Sequence, residues 1–168
     1  PEHMPTKFNV LGPTRLDQLG EYLRTHSDVE FLDLRPTLLE KKFDDVPEDW
    51  LYVRLGTHWN GRGSYESYRA IIERLSDPFP AMRPFDRADL ALTVLPNYGD
   101  TWGTRMYIED LLPQRVVLYA PPDDPRCRAT AQTTWGPMRE VVYEKDDPTL
   151  PRALLFHDSF GPYAEDLL

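Results

Sequence analysis

Two short stretches of the chain carry residues that could do nucleophilic chemistry. Ser159 follows the apolar run "RALLF" at 152–156, and His58 follows a second candidate strand, "LYVRL" at 51–55. A serine hydroxyl becomes a good nucleophile when a base within hydrogen-bond reach takes its proton, and an imidazole is the usual base. The two stretches therefore predict acyl transfer, with Ser159 as the nucleophile and His58 as its base.

Each of these residues also has a purely structural interpretation. A serine after a strand commonly caps a turn or a helix, and a histidine beside Trp59 can be a packed, hydrogen-bonded residue. Asp158 is expected to shape the serine turn by accepting backbone N–H groups. His157 is an alternative base, but neighbouring residues of a strand point to opposite faces, which favours His58. The backbone N–H groups of Ser159 and Gly161 are candidate donors to an oxyanion.

Apolar spacing predicts the elements that must position these residues. A helix is predicted over 15–25, where Thr14 and Asp17 fit a capping box. A second helix is predicted over about 64–75, where apolar residues fall on one face. The predicted strands are 29–34, 51–55, 115–120, 139–144 and 152–156. Strands that alternate with helices indicate an α/β sheet, in which chemistry gathers at the carboxyl ends of the strands.

Composition limits the classes of function. The chain has 168 residues, which suits one domain, and 28 acidic against 19 basic side chains give a formal charge of −9. Because there is no run of Lys or Arg, neither nucleic acid nor an anionic membrane surface is an expected partner. No apolar stretch approaches the roughly 20 residues of a membrane span. With one cysteine and four histidines without tight spacing, no metal site is predicted.

Several segments resemble the alginate O-acetyltransferase family. "GTHWNGRGSYESYRAII" at 56–72 is similar to the histidine segment of that family, and "LPRALLFHDSFG" at 150–161 is similar to its nucleophile turn. Weaker similarities follow the same order along the chain, in "PTKFNVLGPTRLDQL" at 5–19, "VEFLDLRPTLLEKK" at 29–42 and "ADLAL" at 88–92. The resemblance implies a three-layer, mostly parallel sheet flanked by helices, as in SGNH hydrolases.

The same resemblance implies a function and a set of residues. Ser159 and His58 would be catalytic, with Asp158, Trp59 and Asn60 supporting them. The reaction would be O-acetyl transfer to an exopolysaccharide, or removal of acetyl groups from it, without a cofactor. Other exopolysaccharide biosynthesis proteins would be partners, and the location would be periplasmic or at the cell surface. We also expect the single domain over 1–168 to lack elements at one or both of its ends.

One departure from the family pattern bears on the mechanism. The family has an aspartate two residues before the histidine, which orients the imidazole, whereas this chain has Gly56. Asp33, Asp44, Asp45 or a backbone carbonyl could take over that role. If none does, the protein would be a carbohydrate-binding or assembly protein that keeps the fold without the chemistry. A general esterase that acts on small acyl esters is a third interpretation.

The loop at 96–107 is the predicted substrate side of the site. Its sequence, "PNYGDTWGTRMY", mixes glycines with aromatic residues and one arginine. Such a loop can close over a ligand while its aromatic rings stack on a sugar. The predicted substrate-binding residues are Tyr98, Trp102 and Arg105.

Overall fold

The computed structural model describes residues 12–42, 50–96, 98, 100–123, 127–135, 138–165 and 167. The helices are α1 (Arg15–His26), α2 (Arg35–Lys41), α3 (Gly61–Leu75), α4 (Thr101–Met106) and α5 (Pro162–Glu165), with a 3-10 turn at Arg87–Asp89. The strands are β1 (Ala91–Leu95), β2 (Val116–Ala120), β3 (Cys127–Trp135) and β4 (Met138–Lys145).

The strands of the described residues form two small antiparallel sheets. β1 pairs with β2, in a register that runs from Ala91 opposite Ala120 to Leu95 opposite Val116. β3 pairs with β4 as a hairpin, with an irregularity in the register after Ala129. The prediction of a three-layer, mostly parallel sheet is therefore wrong, because each sheet has two strands and both pairs are antiparallel.

The predicted strands have mixed outcomes. Those at 115–120 and 139–144 are confirmed as β2 and β4. Those at 29–34 and 152–156 are wrong, since neither segment is a strand. Residues 51–55 keep one isolated bridge, between Tyr52 and Trp59. A run of apolar residues becomes a strand only when another strand pairs with it, and composition does not reveal that partner.

Both predicted helices are confirmed. α1 begins at the predicted capping box, where Thr14 Oγ1 accepts the Asp17 N–H at 3.2 Å and the Asp17 carboxylate accepts the Thr14 N–H at 2.7 Å. α3 starts at Gly61, three residues earlier than the apolar pattern alone indicated. The periodic pattern could not show this first turn because its residues are glycine, arginine and serine.

Contacts divide the chain into two compact units, residues 1–36 and residues 37–168. In the first unit, Arg35 bonds to the carboxylates of Asp17 and Asp33. In the second unit, α3 lies at the centre of the apolar core, which contains Tyr65, Tyr68, Ile72, Leu90 and Leu167. Within the described residues, no helix is both long and apolar enough to cross a membrane.

Candidate functional site

The backbone around His58 folds back on the segment that precedes it. The Val53 N–H donates to the His58 carbonyl at 3.0 Å, and the Asn60 N–H donates to the Leu51 carbonyl at 2.9 Å. Leu51 and Val53 are both buried. These bonds place His58 between a buried backbone segment and the start of α3, so the main chain at residue 58 is fixed by hydrogen bonds.

Asn60 fixes the end of this turn by capping α3. Its side-chain oxygen accepts the N–H groups of Arg62 at 2.8 Å and Gly63 at 3.2 Å, two of the donors that have no partner within the helix. Asn60 is 1% exposed. A Cβ at Gly63 would lie 2.2 Å from the Leu51 carbonyl oxygen. This close approach explains why residue 63 is a glycine.

A carboxylate that the sequence analysis did not identify lies beside His58. Both oxygens of Asp100 are 3.3 Å from His58 Nδ1. The side chains of His58 and Asp100 are 17% and 8% exposed. Asp100 also accepts the backbone N–H groups of Thr57 at 3.2 Å and His58 at 3.4 Å. The imidazole is therefore held on its Nδ1 side by the carboxylate of Asp100.

The surroundings of Asp100 favour its ionised form. Burial by itself raises the pKa of this carboxyl, but hydrogen bonds from the Thr101 backbone and from the His58 ring and backbone outweigh burial, so the pKa lies below its usual value. The Thr101 hydroxyl adds a further bond at 3.1 Å. A charged carboxylate at this point stabilises an imidazolium, which is what a general base needs after it has taken a proton.

Asp100 is not one of the carboxylates that the sequence suggested as partners of His58. Asp33 is bonded to Arg35 at 2.7 Å, and Asp44 and Asp45 lie outside the described residues. Asp100 stands in "DTWG", directly before a helix, where an aspartate usually caps the helix. Its sequence signal is thus that of a capping residue, and the contact with His58 depends on how α4 packs against residues 55–58.

The serine turn is shaped by Asp158. One carboxylate oxygen accepts the Phe160 N–H at 2.9 Å, and the Asp158 carbonyl accepts the Gly161 N–H at 3.1 Å. His157, the alternative base, lies with Nδ1 2.8 Å from the same carbonyl. Of the two candidate oxyanion donors, the Gly161 N–H is thus engaged within the turn. The Ser159 N–H is the remaining candidate.

Phe160 joins the serine turn to the histidine turn. Its ring centroid lies 5.2 Å from that of His58 and 5.2 Å from that of Trp59, edge-on to the indole. Ser159, the residue before it, is exposed. Further along the chain, Ala164 and Leu167 are buried, and Leu167 belongs to the core around α3. The structure therefore brings the segment that carries Ser159 to the edge of the His58 site.

Two of the predicted substrate-binding residues, Trp102 and Arg105, lie in α4, and Tyr98 lies just before it. Trp102 is 47% exposed, and the Arg105 guanidinium lies 6.0 Å from the centre of its ring. The Tyr98 N–H bonds to the Gln114 carbonyl at 2.8 Å. Because Asp100 immediately precedes α4, Trp102 and Arg105 lie within five residues of the carboxylate that contacts His58. Among the described residues, no group of three His, Cys, Asp or Glu side chains could hold a metal ion.

Comparisons with known proteins bear on the fold. No protein-family model matches the chain, and no curated protein matches it. It is similar to the crystal structure of a DHHW family protein from Eubacterium siraeum, with a TM-score of 0.56 and 14% sequence identity. The match covers 74% of this chain and 39% of that chain, so this sequence matches well under half of the length of that protein.

The predicted relationship to the alginate O-acetyltransferase family is wrong. The structural likeness is to a DHHW family protein, and the antiparallel strand pairs do not build the parallel sheet of an SGNH hydrolase. Short motifs such as "THWN" and "HDSFG" specify a local turn and the residues on it. They do not specify how the strands around them pair, so they misdirected the fold prediction.

Proposed function

We propose that this protein transfers acyl groups from an ester, with Ser159 as the nucleophile and His58 as the general base. One observation carries the proposal: the His58 imidazole has a buried carboxylate on its Nδ1 side and is in ring contact with Phe160, the neighbour of Ser159. A carboxylate on the Nδ1 side favours the tautomer in which Nε2 is the proton acceptor, and this is the tautomer that a general base needs.

The chemistry proceeds in two balanced steps. His58 Nε2 takes the proton of the Ser159 hydroxyl as Oγ bonds to the acyl carbon, and the Ser159 N–H donates to the oxyanion. The ester bond then breaks, and the leaving alcohol takes the proton from the imidazolium. In the second step His58 removes a proton from water or from an acceptor hydroxyl. That oxygen attacks the acyl-enzyme, and its product leaves as Ser159 regains a proton.

The acceptor decides between an esterase and a transferase. The exposed Trp102 ring beside Arg105 supports a substrate with a flat, weakly polar face, such as a sugar ring. An acetylated exopolysaccharide stays the predicted substrate, and a general esterase shares the same serine chemistry. The binding-only alternative depended on Gly56, and the Asp100 carboxylate beside His58 removes that reason for preferring it.

A covalent probe tests the nucleophile directly. We expect intact-mass analysis after exposure to a fluorophosphonate to show one adduct on the native chain, and peptide mapping to place it on Ser159. Ser159→Ala should abolish the adduct. His157→Ala is the matched control and should keep it, because His157 bonds within the turn. A native chain without an adduct, or one labelled elsewhere, contradicts the proposal.

The acyl acceptor needs a second assay. We expect the native chain to release acetate from 4-nitrophenyl acetate, and Ser159→Ala not to do so. The same two proteins are then given acetylated polysaccharides, with and without unacetylated polymer as acceptor. Acetate release identifies an esterase, whereas acetyl groups gained by the unacetylated polymer identify a transferase. Retention of polymer without either reaction favours the binding-only alternative.

A further inference from the structure

Residue 56 and the Asp100 side chain compete for one volume. An ideal Cβ on Gly56 would lie 1.7 Å from Asp100 Oδ2 and 2.5 Å from Asp100 Cβ. Real Cβ atoms essentially never come within 3.0 Å of another heavy atom. Any other residue at position 56 therefore requires the Asp100 side chain to move. The Asp100 carboxylate can occupy its present position because residue 56 has no side chain.

A second feature explains why the Asp100 carboxylate is available for His58. Asp100 is the N-cap residue of α4, but its side chain makes no capping hydrogen bond to that helix. The carbonyl of Leu55 takes this role by accepting the N–H groups of Trp102 at 2.9 Å and Gly103 at 3.0 Å. Since those donors are satisfied, the carboxylate is free to turn toward Thr57 and His58.

We propose that Asp100 is the positioning residue that holds His58 with its proton on Nδ1, and that Gly56 and Asp100 form an exchangeable pair. A carboxylate can reach the Nδ1 side of the imidazole from either residue, provided that the other is glycine. The catalytic consequence of this inference rests on the proposed function. The effect on the imidazole itself is independent of catalysis and can be measured separately.

The state of the imidazole is read by long-range ¹H–¹⁵N NMR on the full chain, at a pH where the ring is neutral. We expect native His58 to carry its proton on Nδ1. Asp100→Asn should reduce the Nδ1–H population at least tenfold, because the amide of an asparagine can donate to Nδ1 and so favours a proton on Nε2. Asp110→Asn, a change at an exposed acidic residue of the same segment, is the matched control and should leave the spectrum unchanged.

An exchange of the two side chains tests the pairing. Asp100→Gly is required, since an alanine at residue 100 would leave its Cβ 2.5 Å from the new Cβ at residue 56. Glycine is tolerated at an N-cap, so α4 is expected to form. We expect Gly56→Asp and Asp100→Gly each to lose the Nδ1–H signal. The double variant, Gly56→Asp with Asp100→Gly, should regain it, together with most of the labelling of Ser159.

The outcomes separate this inference from the proposed function. A native chain that is not labelled, but whose His58 tautomer follows Asp100, would end the proposed function and keep the positioning role. A native chain that is labelled on Ser159, but whose His58 tautomer is the same in Asp100→Asn, would keep the proposed function and overturn the positioning role. A folded double variant that fails to recover the Nδ1–H signal would overturn the exchange.

Discussion

The two halves of the candidate site are built in different ways. On the histidine side, Asn60 is 1% exposed and Asp100 is 8% exposed, and backbone hydrogen bonds hold the turn closed. On the serine side, Leu154 and Phe156 are 82% and 86% exposed, and Phe160 makes ring contact with His58 and Trp59 of the histidine turn. The difference indicates that the base is preorganised by the fold, whereas the nucleophile depends on a turn and one aromatic side chain.

Substitutions on the histidine side of the site should reduce the stability of the protein more than substitutions on the serine side. Gly61→Ala would place a Cβ 2.2 Å from the Val117 carbonyl oxygen, in backbone that cannot move away easily. We expect it to lower the free energy of unfolding by about 3 kcal/mol, measured by urea denaturation. Gly103→Ala is the matched control, because the nearest atom to its Cβ is 3.5 Å away. Equal stability of the two variants would contradict the tight packing at α3.

The cap of α3 is expected to make the next largest contribution to the free energy of unfolding on the histidine side. Asn60→Ala leaves the N–H groups of Arg62 and Gly63 without their side-chain acceptor. We expect a loss of about 2 kcal/mol in the free energy of unfolding, at the upper end for a cap because the site is buried. Asn60→Ser retains an acceptor oxygen and should recover part of the loss. An alanine variant as stable as the native chain would show that the cap is not needed.

The serine side should respond in activity more than in stability. Phe160→Ala removes the ring that packs on His58 and Trp59. An aromatic contact contributes about 1 kcal/mol, so we expect Ser159 labelling to slow by about fivefold. Phe156→Ala, four residues earlier at an exposed position, should leave the rate unchanged. Equal rates for both variants would show that Phe160 does not position the turn.

Low pH should reduce the stability that the Asp100 carboxylate contributes on the histidine side, because the carboxylate becomes protonated. The pKa of this carboxyl is lower in the folded chain than its usual value, so its contribution to stability is present above about pH 4 and is lost as the pH falls through the folded value. The difference in unfolding free energy between the native chain and Asp100→Asn should therefore shrink below pH 4. A difference that stays constant from pH 7 to pH 3 would show that Asp100 is not stabilised in its ionised form.

The sequence allowed prediction of what depends on neighbouring residues. The capping box at Thr14 and Asp17, the helix after Asn60 and the strands at 115–120 and 139–144 all have local signals. The failures depend on distant pairing. The run at 152–156 is apolar like a buried strand, yet no other strand pairs with it in the described residues. Asp100 was missed for the same reason, since its contact with His58 joins residues 42 positions apart.

Whether Asp100 acts through His58 is the central question, and one comparison of rates answers it most directly. Asp100→Asn is introduced into the native chain and into His58→Ala, and Ser159 labelling by a fluorophosphonate is timed in all four proteins. We expect the substitution to slow the native chain by a factor on the order of 10³ to 10⁴, and to have no further effect when His58 is absent. The same fold-loss in both backgrounds would contradict the account.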